Sequence, residues 1–267
     1  MIFNCHTHIG DAFIKLPDRK FSIEELVAPP YGYKHVLMRK VGNSKIMKGM
    51  EKAVEIMKNC GTNVFIDFRE GGVKGVKLLL EILKNKNLEA IILGRPYNME
   101  YNEKEIDEIL DISDGIGLSS ISDWKFEEIV AISNHVEERG KIFALHASES
   151  RREDINKILD LKPNFLVHLC KADEENINEV AKKKIGVVVC PRANGFFGLS
   201  PPLNLMMEKR IDVMLGTDNA MIVEPDIIEE MNFLIKKFDI EKKEAFKMIS
   251  KTPSKFFGEI LKNRVHS

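Results

Sequence analysis

Eight short apolar segments recur along the chain, and stretches with helical periodicity separate them. The segments are rich in Val, Ile, Leu and Phe, as expected of strands that are buried on both faces of a parallel sheet. They are Met1–Cys5, Asn63–Phe68, Glu89–Gly94, Asp114–Leu118, Lys141–Leu145, Asn164–Val167, Ile185–Val189 and Asp212–Gly216. This alternation predicts an α/β fold built on a parallel sheet.

Two of the intervening helices have recognisable ends. In Ser122–Gly140, Ser122 can cap the first turn and Gly140 can end the helix. Pro225 stands at the start of a second helix, Asp226–Phe238, where its missing N–H has no cost. The longest irregular segment is Asp11–Asn43, which directly follows the first strand. A loop of that length in a compact domain is usually functional or mobile.

The length of the chain limits the architecture. Its 267 residues are close to the roughly 250 that are typical of one (β/α)8 barrel, although they also fit a doubly wound domain or two small domains. A single barrel domain over residues 1–267 becomes the preferred prediction once the positions of the polar residues are considered.

Charge and cysteine content exclude several classes of protein. The 40 basic and 41 acidic residues nearly cancel, which gives no reason to expect nucleic acid or an anionic membrane as a partner. None of the four cysteines forms a C-x2-C pair, so a structural zinc site is not indicated. With no signal peptide and no long apolar span, the sequence predicts a cytoplasmic protein with reduced cysteines.

Side chains that can bind metals lie at the C-terminal ends of several predicted strands. His6 and His8 follow the first strand, His146 the fifth, His168 the sixth and Asp218 the eighth. A single histidine in such a position is more often an ordinary hydrogen-bonded residue. In a barrel, however, these ends converge on the face that carries active sites. Imidazoles and a carboxylate form a suitable set for zinc or ferrous iron.

The order of these motifs resembles the amidohydrolase superfamily, in particular its cytosine deaminase, adenosine deaminase and chlorohydrolase-like branches. The matching segments are His6-Thr7-His8, His146-Ala147-Ser148-Glu149, His168, Cys190-Pro191-Arg192-Ala193-Asn194 and Gly216-Thr217-Asp218-Asn219. The segment 249–258 also resembles the helix that typically follows the barrel in this superfamily. A lone H-x-H motif is weak, but the ordered set is specific.

The resemblance implies a role for each matched residue. The metal ligands would be His6, His8, His146 and Asp218. Asp218 would also accept a proton from the attacking water, and His168 would stabilise the developing oxyanion. Glu149 would deliver a proton to a ring nitrogen of the substrate, which is a role associated with the deaminases of the superfamily.

The sequence differs from other members of the superfamily in two ways that bear on the number of metal ions and on the architecture. Binuclear members usually place a modified lysine at the end of the fourth strand, and the segment 114–120 contains no lysine. One metal ion, zinc or iron, is therefore expected. Larger relatives also carry a β-sandwich formed from both ends of the chain, and we expect a barrel without it.

Further polar residues after the strands are candidates for substrate contact. They are Arg69, Glu70, Arg95, Ser119, Ser120, Arg192 and Asn194. Arg69 or Arg95 could pair with a carboxylate or phosphate, although a salt bridge at the barrel rim is equally ordinary. The segment Asp11–Asn43 could cover the site, with Tyr31 and Tyr33 stacking on a flat substrate. The alternative is a surface loop packed away from the site.

The expected activity is hydrolytic deamination of a nucleobase, nucleoside or related heterocycle. The same centre could instead hydrolyse a cyclic amide, an ester or a chloro-substituted ring. A phosphoesterase is a second alternative, although such enzymes generally bring additional His or Glu ligands for two or three metals. The expected partner is a small-molecule substrate, and a homo-oligomer is possible.

Overall fold

The computed structural model describes residues 1–84 and 86–265, and the nine strands in them form one parallel sheet. The strands are β1 (Phe3–His8), β2 (Val64–Arg69), β3 (Glu89–Gly94), β4 (Gly115–Leu118), β5 (Ile142–Ala147), β6 (Phe165–His168), β7 (Gly186–Val189), β8 (Val213–Leu215) and β9 (Asp218–Asn219). Their order in the sheet is β8-β7-β6-β5-β4-β3-β2-β1-β9. Each predicted segment overlaps one of the first eight strands, so the prediction of a parallel α/β fold is confirmed.

Helices connect the strands. They are α1 (Ile23–Leu26), α2 (Tyr33–Lys40), α3 (Asn43–Asn59), α4 (Gly72–Leu83), α5 (Glu103–Ile112), α6 (Phe126–Glu138), α7 (Ile155–Asp160), α8 (Glu174–Lys182), α9 (Pro191–Phe196), α10 (Leu203–Glu208), α11 (Ile227–Phe238), α12 (Lys242–Met248) and α13 (Lys251–Val265). No helix among the described residues is long and apolar enough to cross a membrane.

The sheet closes through a bend in its last strand. β8 pairs with β7, whereas β9, two residues further along the chain, pairs with β1. Between them, the backbone N–H of Thr217 donates to the carbonyl oxygen of His6 at 3.0 Å. One short segment therefore joins both edges of the sheet. The closed (β/α)8 barrel was predicted, but the break in its last strand was not.

The hydrophobic core has two layers because successive side chains of a strand point to opposite faces. One layer fills the barrel and includes Phe3, Ile66, Phe165 and Met214, all almost fully buried. A larger layer lies between the strands and the surrounding helices. The sheet is thus buried on both faces, which explains why its strands are nearly continuous apolar runs in the sequence.

Gly216 allows the bend to approach β1. A Cβ atom at this position would lie 2.7 Å from both the Cβ atom and the backbone nitrogen of His6. We expect Gly216→Ala to lower the free energy of unfolding by about 1–3 kcal/mol, since the surrounding strands must shift. Urea denaturation measures this, with Gly258→Ala, which has open space around it, as the control. Equal midpoints for the two variants would contradict the steric explanation.

The start predicted for the helix Ser122–Gly140 is wrong. Ser122 does not cap α6, which begins at Phe126 with Lys125 at its N-cap. Ser122 instead lies in a 3-10 turn, where its backbone N–H donates to Glu153 Oε1 at 3.0 Å. Competition from that carboxylate explains the later start. The predicted end at Gly140 is confirmed by its φ of +61°, a left-handed conformation that favours glycine.

The start predicted for the later helix is confirmed. Asp226 precedes α11, and its side chain accepts hydrogen bonds from the backbone N–H groups of Ile228 and Glu229.

The sequence predicts an irregular segment over Asp11–Asn43, but the structure shows that part of it is helical. It contains α1 and α2, and Ser22 and Glu25 form a reciprocal capping box at the start of α1. α1 is only four residues long, too short to show helical periodicity in the sequence.

Candidate metal centre and adjoining cavities

Four side chains from three strand ends converge inside the barrel mouth. His146 Nε2 lies 3.1 Å from His6 Nε2 and 3.3 Å from His8 Nε2. Asp218 Oδ1 lies 3.3 Å from His6 Nε2 and 3.6 Å from His8 Nε2. His6 and His8 end β1, His146 belongs to β5 and Asp218 begins β9, so the parallel topology brings distant parts of the chain together.

Hydrogen bonds at the far side of two rings indicate which nitrogen faces the cluster with a lone pair. His8 Nδ1 lies 3.1 Å from the carbonyl oxygen of Phe68 and 2.9 Å from Glu70 Oε1, and both oxygens accept. His146 Nδ1 lies 2.7 Å from the carbonyl oxygen of Leu118. We assign the proton to Nδ1 in both rings, which leaves Nε2 free to bind a metal.

His168 is also close to the cluster but offers a different group. Its ligand atom and those of His6, His146 and Asp218 lie within 4.8 Å of one another. Its Nδ1, however, lies 3.1 Å from the side-chain amide nitrogen of Asn194, which donates. The proton of His168 is therefore assigned to Nε2, so this residue presents an N–H donor to the centre where His8 presents a lone pair.

Burial keeps these rings neutral. It lowers the pKa of His6 and of His146 to about 3, and the pKa of His8 and of His168 well below the ordinary value. The charge of Lys34 acts in the same direction on His6 and His8. Neutral imidazoles and a carboxylate are the donors that zinc or ferrous iron prefers. The donor set therefore fits a divalent metal ion.

A buried N–H group of His168 also indicates that an ion or a water molecule binds in this cluster. Nε2 of His168 has no hydrogen-bond partner among the described residues, although it is inaccessible to solvent. Buried polar groups without partners are rare in folded proteins and call for an explanation such as a bound ion or water.

The backbone is strained where two of these residues stand. Asp218 has a φ of +65° and His168 a φ of +79°, in the left-handed region that non-glycine residues rarely adopt. Such conformations cost about 1–3 kcal/mol each and persist where the surrounding structure holds them. Their occurrence at two cluster residues is typical of a functional site.

Glu149 lies beside His168, with Oε2 3.5 Å from His168 Nε2. The amide nitrogen of Asn194 donates to Glu149 Oε1 at 3.2 Å, so one amide contacts both residues. Burial, together with the negative charge of Asp218, raises the pKa of Glu149 well above its ordinary value. This favours the protonated carboxylic acid.

A buried cluster of charged residues packs against His8, and two of its members, Lys34 and Asp11, could not be predicted from the sequence. Lys34 Nζ lies 2.5 Å from Glu70 Oε1 and 3.5 Å from Asp11 Oδ2. Asp11 in turn accepts from the side-chain amide of Asn219 at 2.8 Å. Burial alone would raise the pKa of Glu70, but the charge of Lys34 and the contact with His8 hold it well below the ordinary value.

Glu70 therefore orients His8, a candidate ligand, and removing the charge of Glu70 should weaken metal binding. We expect Glu70→Gln to lower zinc affinity about 10- to 100-fold, the usual cost of losing an outer partner of a ligating histidine. Competition with a chromophoric chelator measures the affinity. Glu230→Gln is the matched control, because Glu230 is also fully buried but contacts Arg192. Equal affinity in both variants would show that Glu70 does not position His8.

One cavity adjoins the centre, and a second cavity adjoins the first. We call the first the inner cavity: it has a volume of about 70 Å³ and is lined by His8, His146, Glu149, His168 and Asp218 together with Ile23, Val27, Ala28 and Pro29. We call the second the outer cavity, with a volume of about 750 Å³. Pro29 and Arg95 line both cavities, so the two share a wall.

The residues expected to contact substrate fall in different places. Arg95 lines both cavities, while Arg69 and Tyr31 line only the outer one. Ser119 and Ser120 line the inner cavity. The remaining residues named from the sequence are Asn194, which is fully buried behind His168, Arg192, which pairs with Glu229 and Glu230, and Tyr33, which packs against Phe21.

Comparison with known proteins agrees with this geometry. Residues 2–260 match the sequence profile of the amidohydrolase family. The chain belongs to the amidohydrolase family. An uncharacterized protein of Methanocaldococcus jannaschii is 35% identical over 266 residues, which cover 92% of this chain and 70% of that protein. The expectation of a hydrolase acting on C–N bonds is thereby confirmed.

Solved structures share the fold. The aminofutalosine deaminase of Helicobacter pylori, in complex with methylthio-coformycin, aligns with a TM-score of 0.76 at 14% identity, covering 96% of this chain and 73% of that one. The atrazine chlorohydrolase of Arthrobacter aurescens, in complex with zinc, aligns with a TM-score of 0.74 at 13% identity, covering 96% and 70%. At such identities, the likeness establishes the barrel fold of the family and nothing narrower.

Proposed function

We propose that this amidohydrolase removes an amino group from a nucleobase, nucleoside or related heterocycle, with one zinc or iron ion per chain. The observation that carries the proposal is the position of Glu149. Its carboxyl group lies in the same small cavity as His8, His146 and Asp218. A proton donor beside a metal centre is what hydrolysis of an amidine-like C–N bond requires, because protonation of the ring nitrogen makes the neighbouring carbon open to attack by water.

The ion would be held by His6, His8, His146 and Asp218, and when bound it would lower the pKa of a water molecule enough to supply a nucleophile at neutral pH. The absence of a lysine from β4, and the single group of possible ligands among the described residues, favour one ion. Zinc is the first choice because the aligned atrazine chlorohydrolase is a zinc complex.

The protein's own groups have complementary roles in this proposal. Asp218 accepts the proton that the attacking water loses and passes it to the amino group, which leaves as ammonia. His168 donates its Nε2–H to the oxygen on which negative charge develops, and such a donor typically contributes 10²- to 10³-fold in rate. Glu149 transfers its proton to a ring nitrogen of the substrate. The side-chain amide of Asn194 positions both His168 and Glu149, because it donates hydrogen bonds to each of them.

Substrate access needs movement of the segment above the site. Ile23, Val27, Ala28 and Pro29, all from the segment Asp11–Asn43, line the inner cavity. A volume of about 70 Å³ leaves little room for a heterocyclic ring. We propose that this segment opens to admit the substrate and closes to exclude bulk water. Tyr31 is 83% exposed and lines the outer cavity, so it does not stack over the metal centre in this conformation.

Hydrolysis of a chloro-substituted ring is the second candidate. It would use the same ligands and the same attacking water, and the aligned atrazine chlorohydrolase favours it. The two candidates differ in the product that leaves, which is ammonia in one case and chloride in the other.

A panel of purines, pyrimidines, pterins and triazines, each with an amino or a chloro substituent, tests the proposal. We expect the zinc-loaded protein to release ammonia from at least one amino-substituted compound, and a chelator to abolish the release. Chloride release with no ammonia from any compound would favour the second candidate. Release that is unaffected by chelation would contradict both.

A further inference from the structure

We propose that the outer cavity binds an anionic substituent of the substrate, a phosphate or a carboxylate, so that the substrate spans both cavities. The placement of its ring in the inner cavity rests on the proposed function, whereas anion binding in the outer cavity does not. The substrate class is therefore a heterocycle that carries a negatively charged side group.

Arg95 in the shared wall is the first observation. It is only 7% exposed and lines both cavities. A guanidinium has five N–H donors. Among the described residues, Arg95 makes one long hydrogen bond, 3.5 Å to His35 Nδ1, and one ion pair at 4.0 Å, to Glu70 Oε1. Most of its donor capacity remains available to a ligand at the junction of the cavities.

The balance of charge around the outer cavity is the second observation. Four cationic residues line it, Arg39, Arg69, Lys74 and Arg95, against two anionic ones, Glu70 and Glu100. Arg69 and Glu70 pair with each other at 3.0 Å, which leaves Arg39, Lys74 and Arg95 against Glu100. In the part of the chain that the structure describes, Arg39 and Lys74 make no ion pair. The cavity thus has a surplus of positive charge.

The start of α4 adds donors from the backbone. Gly71, Lys74 and Gly75 line the outer cavity, and α4 begins there without a side-chain cap. No acceptor among the described residues pairs with the backbone N–H groups of Val73 and Lys74. Free N–H groups at a helix N-terminus favour an anion. Gly75 is required for this arrangement, because a Cβ there would lie 1.9 Å from the carbonyl oxygen of Glu70.

The rest of the cavity suits an organic linker between ring and anion. Its volume of about 750 Å³ lies within the range of roughly 300–1,000 Å³ that is usual for small-molecule sites. Apolar side chains, among them Met38, Ile46 and Met50, form part of the lining. Tyr31 and Tyr97 also line it and are 83% and 61% exposed. Large exposed rings beside a cavity can cover a sugar or alkyl group.

Matched substrate pairs test the proposal with the zinc-loaded protein. Each pair consists of a neutral heterocycle and its anionic counterpart: a nucleoside with its 5′-monophosphate, and a pterin with its carboxylate. We expect kcat/KM to be at least 10-fold higher for the anionic compound than for its neutral counterpart in one of the two pairs. The pair that shows the preference tells whether the cavity binds a phosphate or a carboxylate. The double variant Arg39→Gln/Lys74→Gln should lose that preference while its rate on the neutral compound stays within about twofold. The control is Lys40→Gln/Lys77→Gln, which changes exposed lysines of the same two helices outside the cavity.

A binding measurement on the metal-free protein separates failure of this proposal from failure of the proposed function. Inorganic phosphate and acetate are titrated into the protein and both double variants by calorimetry. Binding that the Arg39→Gln/Lys74→Gln variant loses, without ammonia release from any heterocycle, would support the anion site and refute deamination. Deamination of neutral and anionic compounds at equal rates, or no anion binding to the unmodified protein, would overturn the anion site.

Discussion

The variant Glu149→Gln is expected to lose about 10²- to 10⁴-fold in kcat, the range typical of removing a general acid. Zinc affinity should stay nearly unchanged, because Glu149 contacts His168 and Asn194 and is not one of the proposed ligands. Glutamine keeps the shape of the side chain and can still accept the hydrogen bond from Asn194, but it has no acidic proton. Steady-state kinetics and zinc content of the same preparation measure both effects.

Glu230→Gln serves as the control for that variant. Glu230 is fully buried, and burial raises its pKa to about 8. Its side chain contacts Arg192 and none of the proposed metal ligands. Retained activity in Glu149→Gln would remove the proton-transfer role. Loss of zinc from that variant would instead make Glu149 a ligand and take away the main support for deamination.

Replacing His8 should mainly lower zinc affinity, whereas replacing His168 should mainly lower kcat. His8→Ala should lower zinc affinity by more than the ~10- to 100-fold that loss of an outer partner costs, because it removes a lone pair from the cluster. His168→Ala should keep zinc and lose about 10²- to 10³-fold in kcat, because it removes an N–H donor. Chelator competition and kinetics distinguish the two outcomes.

The reverse pattern, with zinc lost from His168→Ala and kept by His8→Ala, would contradict the assigned ring protonation. His168 shares a 4.8 Å cluster with His6, His146 and Asp218, so distance alone does not decide between the two residues. The hydrogen bond at Nδ1 of each ring decides between them. His8 Nδ1 donates to Glu70, whereas His168 Nδ1 accepts from Asn194.

Much of the fold could be predicted from the sequence because the strands are buried on both faces. Ile91, Leu93 and their neighbours form an apolar run that hardly depends on tertiary context. The bend at Gly216 could not be predicted, because it exists only where the strand meets His6 on β1. The start of α6 was displaced by Glu153, a carboxylate some thirty residues away along the chain.

The candidate site was predictable in part for a related reason. His6, His146 and Asp218 directly follow apolar runs, and parallel strands bring such positions to one end of a barrel. Lys34 and Asp11 carry no such signal. Lys34 lies in α2, and its contact with Glu70 depends on how that helix packs. The outer cavity, too, arises from packing between α2, α3, α4 and the segment after β3.

Zinc titration into metal-free protein is the most direct test of the metal centre, since it requires no knowledge of the substrate. We expect binding to saturate at one zinc ion per chain, with the Nε2 atoms of His6, His8 and His146 and the carboxylate of Asp218 as ligands. X-ray absorption at the zinc edge should then show nitrogen and oxygen neighbours and no sulfur. Two tightly bound ions per chain, or a zinc ion with sulfur ligands, would contradict the single His/Asp centre on which the account depends.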